Sequence, residues 1–226
     1  MNNTSITAII VAGGTGTRMG ADCPKQFLKL GDCEIIEHTV SRFIQSGAVD
    51  EIIIVCHKDY ISHCSNLFKG VDFDIKIVEG SDTRQKSVCA GLGAAGDCGY
   101  VMIHDAVRCC VKPSDIRLVA DNLFSKKACA LGVKVIDTVK KSDADGKILS
   151  TVDRSNLWLI QTPQAFSKNL IVKAHELAIQ KGFEATDDCA VAEFAGNDVY
   201  IIEGSYTNIK ITTPVDMILA GEYLKG

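Results

Sequence analysis

No apolar run in this sequence approaches the roughly 20 residues that a membrane-spanning helix needs. No transmembrane helix is therefore expected. Basic residues are not in excess: 24 Lys and Arg stand against 28 Asp and Glu, for a net charge of −4. This argues against broad nucleic-acid binding, which needs a basic face, but leaves room for a local cationic pocket around a small anion. The segment Met1-Asn2-Asn3-Thr4 lacks the basic region of a secretory signal, so the expectation is a cytoplasmic protein. None of the 10 cysteines forms a C-x-x-C pair, and no Cys/His group has zinc-finger spacing. Cys56 and Cys129 lie in or beside apolar runs, where a thiol serves as a small hydrophobe, so reduced and mostly buried thiols are expected. The adjacent Cys109-Cys110 reads as a loop edge, since reactivity requires a depressed thiol pKa. The five histidines include no H-E-x-x-H pair. Repeats, low-complexity tracts and blocks of like charge are missing as well.

What is present is a chain of 226 residues, 46% hydrophobic and 23% charged, long enough for one substantial core. Short apolar runs alternate with longer amphipathic stretches. Ile6 to Val11, Glu51 to Cys56, Phe73 to Val78, Tyr100 to Ile103 and Ala128 to Val135 read as strands. Glu34 to Ser46, Tyr60 to Phe68, Thr83 to Ala95 and Ser114 to Phe124 carry apolar residues at helical spacing. Near-continuous apolar strands alternating with helices predict an α/β fold, a Rossmann-like, mostly parallel sheet with helices on both faces. After Val135 the pattern changes. Two strand-like runs, Asp137 to Lys141 and Lys147 to Val152, flank a turn containing Asp145-Gly146, which signals a hairpin. A projecting β-hairpin arm at about 137–154 covers a site, grips a partner subunit, or is a plain surface excursion; the residues alone leave these open. Ser167 to Lys181 is an amphipathic helix, and Thr213-Pro214-Val215-Asp216 begins another with a capping-box pattern. No linker appears, so 1–226 reads as a single domain with a hairpin arm.

The chemistry concentrates after the first strand. In Ala12-Gly13-Gly14-Thr15-Gly16-Thr17-Arg18-Met19-Gly20, four glycines fall within eight residues. A strand, glycine loop and helix in this order place backbone N–H groups around an anion at the carboxyl edge of a sheet. The Gly-Lys-Ser/Thr of a Walker A loop is missing, which argues against a P-loop kinase, and Met19 stands where G-x-G-x-x-G needs its third glycine. Arg18 lies in the loop, and Lys25 follows the φ-restricted Pro24. Two cations so placed either meet across one phosphate, stabilising charge on a phosphoryl group under attack, or are solvated surface residues. Asp105 follows the strand Tyr100 to Ile103, where a carboxylate can hold Mg²⁺ between phosphate oxygens or cap a loop. His104 reads as packed. Ser81, Asp82 and Ser87 follow the strand Phe73 to Val78, placed to bond a ribose or base or to cap a helix.

The glycine loop with Pro24-Lys25-Gln26 resembles the signature of nucleotidyltransferases that make sugar-nucleotide-type products. Further segments narrow the likeness: Glu79 to Val88, His104 to Arg108, Thr151 to Trp158, Gln161 to Phe166, Thr186-Asp187-Asp188, and Asn208 to Thr212. In this order they resemble the 2-C-methyl-D-erythritol 4-phosphate cytidylyltransferase family of the non-mevalonate isoprenoid pathway. The resemblance implies transfer of CMP from CTP to 2-C-methyl-D-erythritol 4-phosphate, giving 4-diphosphocytidyl-2-C-methyl-D-erythritol and pyrophosphate, with Mg²⁺ as cofactor. It implies catalytic roles for Arg18, Lys25 and Lys210, nucleotide binding by Ala12, Gly13, Gly14, Ser81, Asp82 and Ser87, and metal binding by Asp105. Thr138, Arg154 and Thr186 would bind the polyol phosphate, the first two from an arm that crosses to the partner in a homodimer. Cys109 stands where family members often carry proline, which leaves Arg108 outside the catalytic set. Two other readings stay open: a ribitol-5-phosphate cytidylyltransferase of the same fold, and a non-catalytic nucleotide-binding module.

Overall fold

A computed structural model describes residues 3–14 and 23–225. The chain begins with β1 (Ile6–Ala12) and continues through the short pair β2 (Lys29–Leu30) and β3 (Cys33–Glu34) into α1 (Ile35–Ser46). Then follow β4 (Glu51–Cys56), α2 (Ile61–Leu67), β5 (Ile75–Glu79), α3 (Arg84–Ala94), β6 (Tyr100–Asp105), α4 (Pro113–Lys126) and β7 (Ala128–Lys134). The hairpin β8 (Lys140–Ser142) and β9 (Ile148–Thr151) precedes the long β10 (Trp158–Ser167). The described chain closes with α5 (Lys168–Lys181), α6 (Asp188–Phe194), β11 (Tyr200–Glu203) and α7 (Pro214–Tyr223).

Seven strands form the central sheet in the order β11-β7-β10-β6-β1-β4-β5. β1 pairs in parallel with both β6 and β4, β4 with β5, and β7 with β11. β10 runs antiparallel between β6 and β7, with an irregularity in register between Ile160 and Gln164. The expected α/β, mostly parallel sheet is what forms, and the hairpin arm leaves it as β8–β9 with its turn at Gly146, φ +84°.

The central strands read as unbroken apolar runs because both faces are covered. Along β1 the side chains alternate: Ala8 and Ile10 enter the layer beneath α1 and α4, while Ile9 enters the layer beneath α3 and α5. Helix α1 contributes Ile36, Val40 and Phe43 to the first layer, and its start is fixed by a reciprocal capping box between Glu34 and Glu37. Helix α3 contributes Val88 and Leu92 to the second. The predicted capping box of the last helix, Thr213 with Asp216, is also present. Among the described residues no helix is long and apolar enough to cross a membrane. All ten cysteines are free thiols, six of them buried, as the apolar setting of the sequence implied.

One close approach fixes the height of α3 over the sheet, and with it the pocket described below. A methyl group at Gly91 would sit 2.5 Å from Ile9 Cγ2 and 3.0 Å from Val55 Cγ2, both buried β-branched side chains with little rotamer freedom. At Gly93, exposed on the same helix, nothing lies within 4 Å. Gly91→Ala should therefore lower stability by about 1–2 kcal/mol, overpacking outweighing the gain in helix propensity, while Gly93→Ala should raise it by up to ~1 kcal/mol. Urea midpoints of the two variants check both signs.

Candidate active site

The carboxyl ends of β1 and β6, the start of α3 and the segment before α7 enclose a cavity of about 400 Å³. Its wall brings together Ala12, Gly13, Gly14, Lys25, Ser81, Asp82, Ser87, Asp105 and Lys210 from the sequence-predicted set. It also contains Gln26, Thr83, Arg84, Val107 and Thr212, which that set did not include. Arg18 lies outside the described residues. Thr138, Arg154 and Thr186 are exposed and do not line this cavity.

Each wall segment is held by a specific side chain. Gln26 is buried, and its amide donates to the carbonyls of Ala12 (2.5 Å) and Gly14 (3.1 Å), so the glycine loop is tied to the residue beside Lys25. Ser87 uses its hydroxyl twice: it accepts from the Ser81 N–H (2.9 Å) and donates to the Ser81 carbonyl (3.2 Å). Gly80 leaves room for this, since a Cβ there would fall 3.0 Å from Ser87 Oγ and 3.2 Å from Val55 Cγ1. The helix cap is neither Ser81 nor Asp82 but Thr83, whose hydroxyl accepts from Lys86 N–H. Asp82 is exposed and pairs with Lys86 at 2.9 Å. Thr83, Arg84 and Ser87 bring the start of α3 to the cavity wall, and the positive end of a helix favours an anion there.

At the end of β6, Asp105 is almost buried and surrounded by cations. Lys210 Nζ approaches its Oδ2 at 2.8 Å, Arg84 Nε its Oδ1 at 3.3 Å, and Arg108 Nε stands 3.7 Å away. Burial pushes its pKa up, but Arg84, Lys210 and Arg108 outweigh that and hold the carboxyl well below the usual range. Asp105 is therefore an anion at neutral pH. Lys210 is carried between two anchors. Asn208, fully buried, donates to Gln161 Oε1 and the Thr162 carbonyl, and its own carbonyl accepts from Arg108. Ile211 N–H donates to the Val107 carbonyl and its side chain is buried. Arg108, set aside on sequence because of Cys109, is a clamp on this segment as well as a neighbour of Asp105.

His104 is fully buried, edge-on to Phe43 with ring centroids 4.9 Å apart. The Arg108 carbonyl can only accept, so the neutral ring donates Nε2–H to it at 3.3 Å and Nδ1 accepts from Thr162 Oγ1 at 3.0 Å; the same hydroxyl accepts from Asp105 N–H at 3.1 Å. Burial lowers its pKa to about 3. It is a neutral packing residue and is unavailable as a base. Arg84 continues the charge network away from the cavity: its Nη1 donates to Asp188 Oδ2 at 2.8 Å, and Asp188 Oδ1 lies 3.3 Å from His175 Nε2.

A cavity built from a glycine loop, a helix N-terminus and convergent Lys and Arg side chains, at the carboxyl edge of an α/β sheet, belongs to a nucleotide-handling enzyme of the nucleotidyltransferase class. The family model for 2-C-methyl-D-erythritol 4-phosphate cytidylyltransferase matches residues 6–226. The enzyme of that name from Lachnospira eligens is 42% identical over 225 residues, covering 97% of this chain and 99% of the relative. The Desulforamulus reducens enzyme is likewise 42% identical over 225 residues, covering 98% and 96%. Among solved structures, the 4-diphosphocytidyl-2C-methyl-D-erythritol synthase of Anaerococcus prevotii superposes with a TM-score of 0.87 at 34% identity, covering 98% of this chain and 99% of that one. The chain belongs to the 2-C-methyl-D-erythritol 4-phosphate cytidylyltransferase family, and is thus a cytidylyltransferase.

The buried His175 provides a test of the charge network. Burial alone would lower its pKa, yet the Asp188 contact and a 3.4 Å approach to Cys89 raise it to about 9. A raised folded-state pKa contributes stability that is complete below about pH 6.5 and is lost as pH rises through 9. Wild-type stability should therefore fall by roughly 2 kcal/mol between pH 7 and pH 10 from this group. Urea midpoints of His175→Gln should lack that part of the decline.

Proposed function

We propose that this cavity transfers CMP from CTP to 2-C-methyl-D-erythritol 4-phosphate by direct in-line displacement, in a single domain whose hairpin arm completes the neighbouring site of a cytoplasmic homodimer. One observation carries the reading. Lys25, Lys210, the glycine loop and the α3 N-terminus share one cavity whose lining, among the described residues, contains no nucleophile–base pair. An oxygen of the polyol phosphate, already anionic near neutral pH, attacks the α-phosphorus of CTP; the bond to the β-phosphate oxygen breaks and pyrophosphate leaves. No proton has to be removed from the attacking oxygen, which matches the neutral, inward-facing His104. The barrier is the repulsion and orientation of two polyanions, and the chain's task is to neutralise and align them. Backbone around Ala12–Gly14 and the loop of Ser81, Asp82 and Ser87 hold the nucleoside end. Arg18, Lys25 and Lys210 meet the phosphates.

The residues present fit a single Mg²⁺. Asp105 offers one ionised carboxylate into the cavity, and no group of three or more acidic, His or Cys side chains among the described residues builds a protein cage. A hard cation that takes most of its oxygens from triphosphate and water suits such a site. When bound it would supply positive charge across the phosphates; Asp105 would hold it, exchanging one cationic neighbour for another.

The second substrate's contacts are assigned to Thr138, Arg154 and Thr186. Thr138 and Arg154 stand on the root of the arm, where Arg154 donates to the Ile136 carbonyl, away from the cavity of their own chain. The arm and its root also expose Ile136, Ile148, Leu149 and Leu159, apolar surface that a second copy would cover. Arg154 and Thr138 then reach the partner's cavity.

Lys25→Ala and Lys210→Ala should each lower turnover about a hundredfold, roughly 3 kcal/mol of transition-state stabilisation. Pyrophosphate release from CTP, measured with and without the polyol phosphate, checks this. Near-normal turnover in either variant would remove that residue from its role. Release independent of the second substrate would overturn the transferase reading, and a clear preference for ribitol 5-phosphate would reassign the acceptor. Mixing inactive Lys25→Ala with inactive Arg154→Ala chains should recover about a quarter of wild-type activity, through mixed dimers with one intact site. No recovery would place Arg154 in its own chain's site.

A further inference from the structure

Arg84 is the first residue of α3 and forms part of the cavity wall, with a side chain 28% exposed. Two carboxylates fix it: Nε meets Asp105 at 3.3 Å and Nη1 meets Asp188 at 2.8 Å. Asp188 does not line the cavity, and its side chain is 1% exposed. It is itself rigidly placed. The Gln164 side chain, on β10, accepts from the backbone N–H groups of Asp188 (2.9 Å) and Cys189 (3.2 Å) and donates to Asp187 Oδ2 (2.8 Å). Asp187 in turn caps α6 by accepting from Ala190 N–H. On its far side Asp188 faces His175 of α5, whose other ring nitrogen lies 3.4 Å from Cys89 Sγ of α3. A buried carboxylate is costly unless its charge is compensated, and here the Arg84 guanidinium and the His175 imidazole flank it on opposite sides.

We propose that Asp188, backed by His175, is a positioning residue for nucleotide binding: it holds the Arg84 guanidinium at the rim of the cavity, facing the triphosphate. The inference rests on the reading of the cavity as the CTP site. The shift of His175 toward the charged form agrees with it, since an imidazolium behind Asp188 takes up part of that carboxylate's field. Arg84 then keeps a fixed position without having its charge fully cancelled, and so remains attractive to a polyanion. If Asp188 were only a structural ion pair, its loss would weaken the fold without singling out CTP.

Steady-state pyrophosphate release, with CTP and 2-C-methyl-D-erythritol 4-phosphate varied in turn, separates the cases. Wild-type release that depends on both substrates comes first; without it the functional reading itself falls, and this inference with it. Given that activity, Asp188→Asn should raise KM for CTP about tenfold, with kcat and KM for the polyol phosphate within about twofold of wild type. Arg84→Ala should raise KM for CTP at least as much, and Asp188→Asn added to it should cause no further rise. His175→Gln should raise KM for CTP about threefold, again only when Arg84 is present. This milder variant carries the test if Asp188→Asn does not fold. An unchanged KM for CTP in the single variants, or equal effects with and without Arg84, would overturn the proposal.

Discussion

The Asp105 carboxylate and the three cations around it are the constraint on which the rest of the site depends. Lys210, Arg84 and Arg108 come from the segment before α7, from α3 and from the loop after β6, and they would repel one another without an anion between them. A pair of this kind adds little to stability, because removing the charges from water offsets most of their attraction. Its effect is to gather positive charge at one point of the sheet edge while no substrate is bound. On the proposed reading, a triphosphate entering the cavity would meet side chains already in place, with the cost of assembling them borne by folding.

Neutral amides do much of the holding. Gln26 ties the glycine loop, Gln164 ties the start of α6, and Asn208 ties the segment that carries Lys210. Gln85 accepts from Ala185 N–H and donates to the Phe183 carbonyl, fixing the segment that leads to Thr186. An amide can donate and accept at once and carries no charge to disturb the cations beside it. Part of the site's geometry is thus set by groups that do not titrate, alongside the ion pairs of Asp105 and Asp188. The same division explains His104, which is kept neutral by burial and spends its ring nitrogens on Thr162 and the Arg108 carbonyl.

The cysteines stand apart from this chemistry. Cys109 and Cys110, with sulfurs 4.0 Å apart, pack in the small core beneath α7 together with Ile35, Val107 and Ile211. The contact with Cys110 and then burial push the Cys109 thiol above its ordinary range. At Cys109 a buried thiol follows Arg108, and Arg108 reaches the Asn208 carbonyl. The loop after Asp105 is held by side-chain packing and by Thr39, which donates to the Ala106 carbonyl at 2.7 Å.

The sequence by itself determined the layered α/β architecture, because buried parallel strands must be apolar on both faces and their helices on one. It marked the hairpin through Asp145-Gly146, the cap of α7 through Thr213 and Asp216, and the cavity through residues at or after strand ends: Gly13, Gly14, Lys25, Ser81 and Asp105. It did not show β10 as a strand, since Gln161-Thr162-Pro163-Gln164 is polar, contains a proline and has no alternating pattern. That stretch sits in the middle of the sheet only because β6 and β7 pair with its ends. Nor did it show α6 or the edge strand β11, both too short for periodicity to register. Arg84, Asp188 and His175 were out of reach for a different reason. They are separated by up to 104 positions in the chain, and these charges meet only when helices from distant segments pack together. Local pattern sets which element forms; the fold alone decides which buried charges meet.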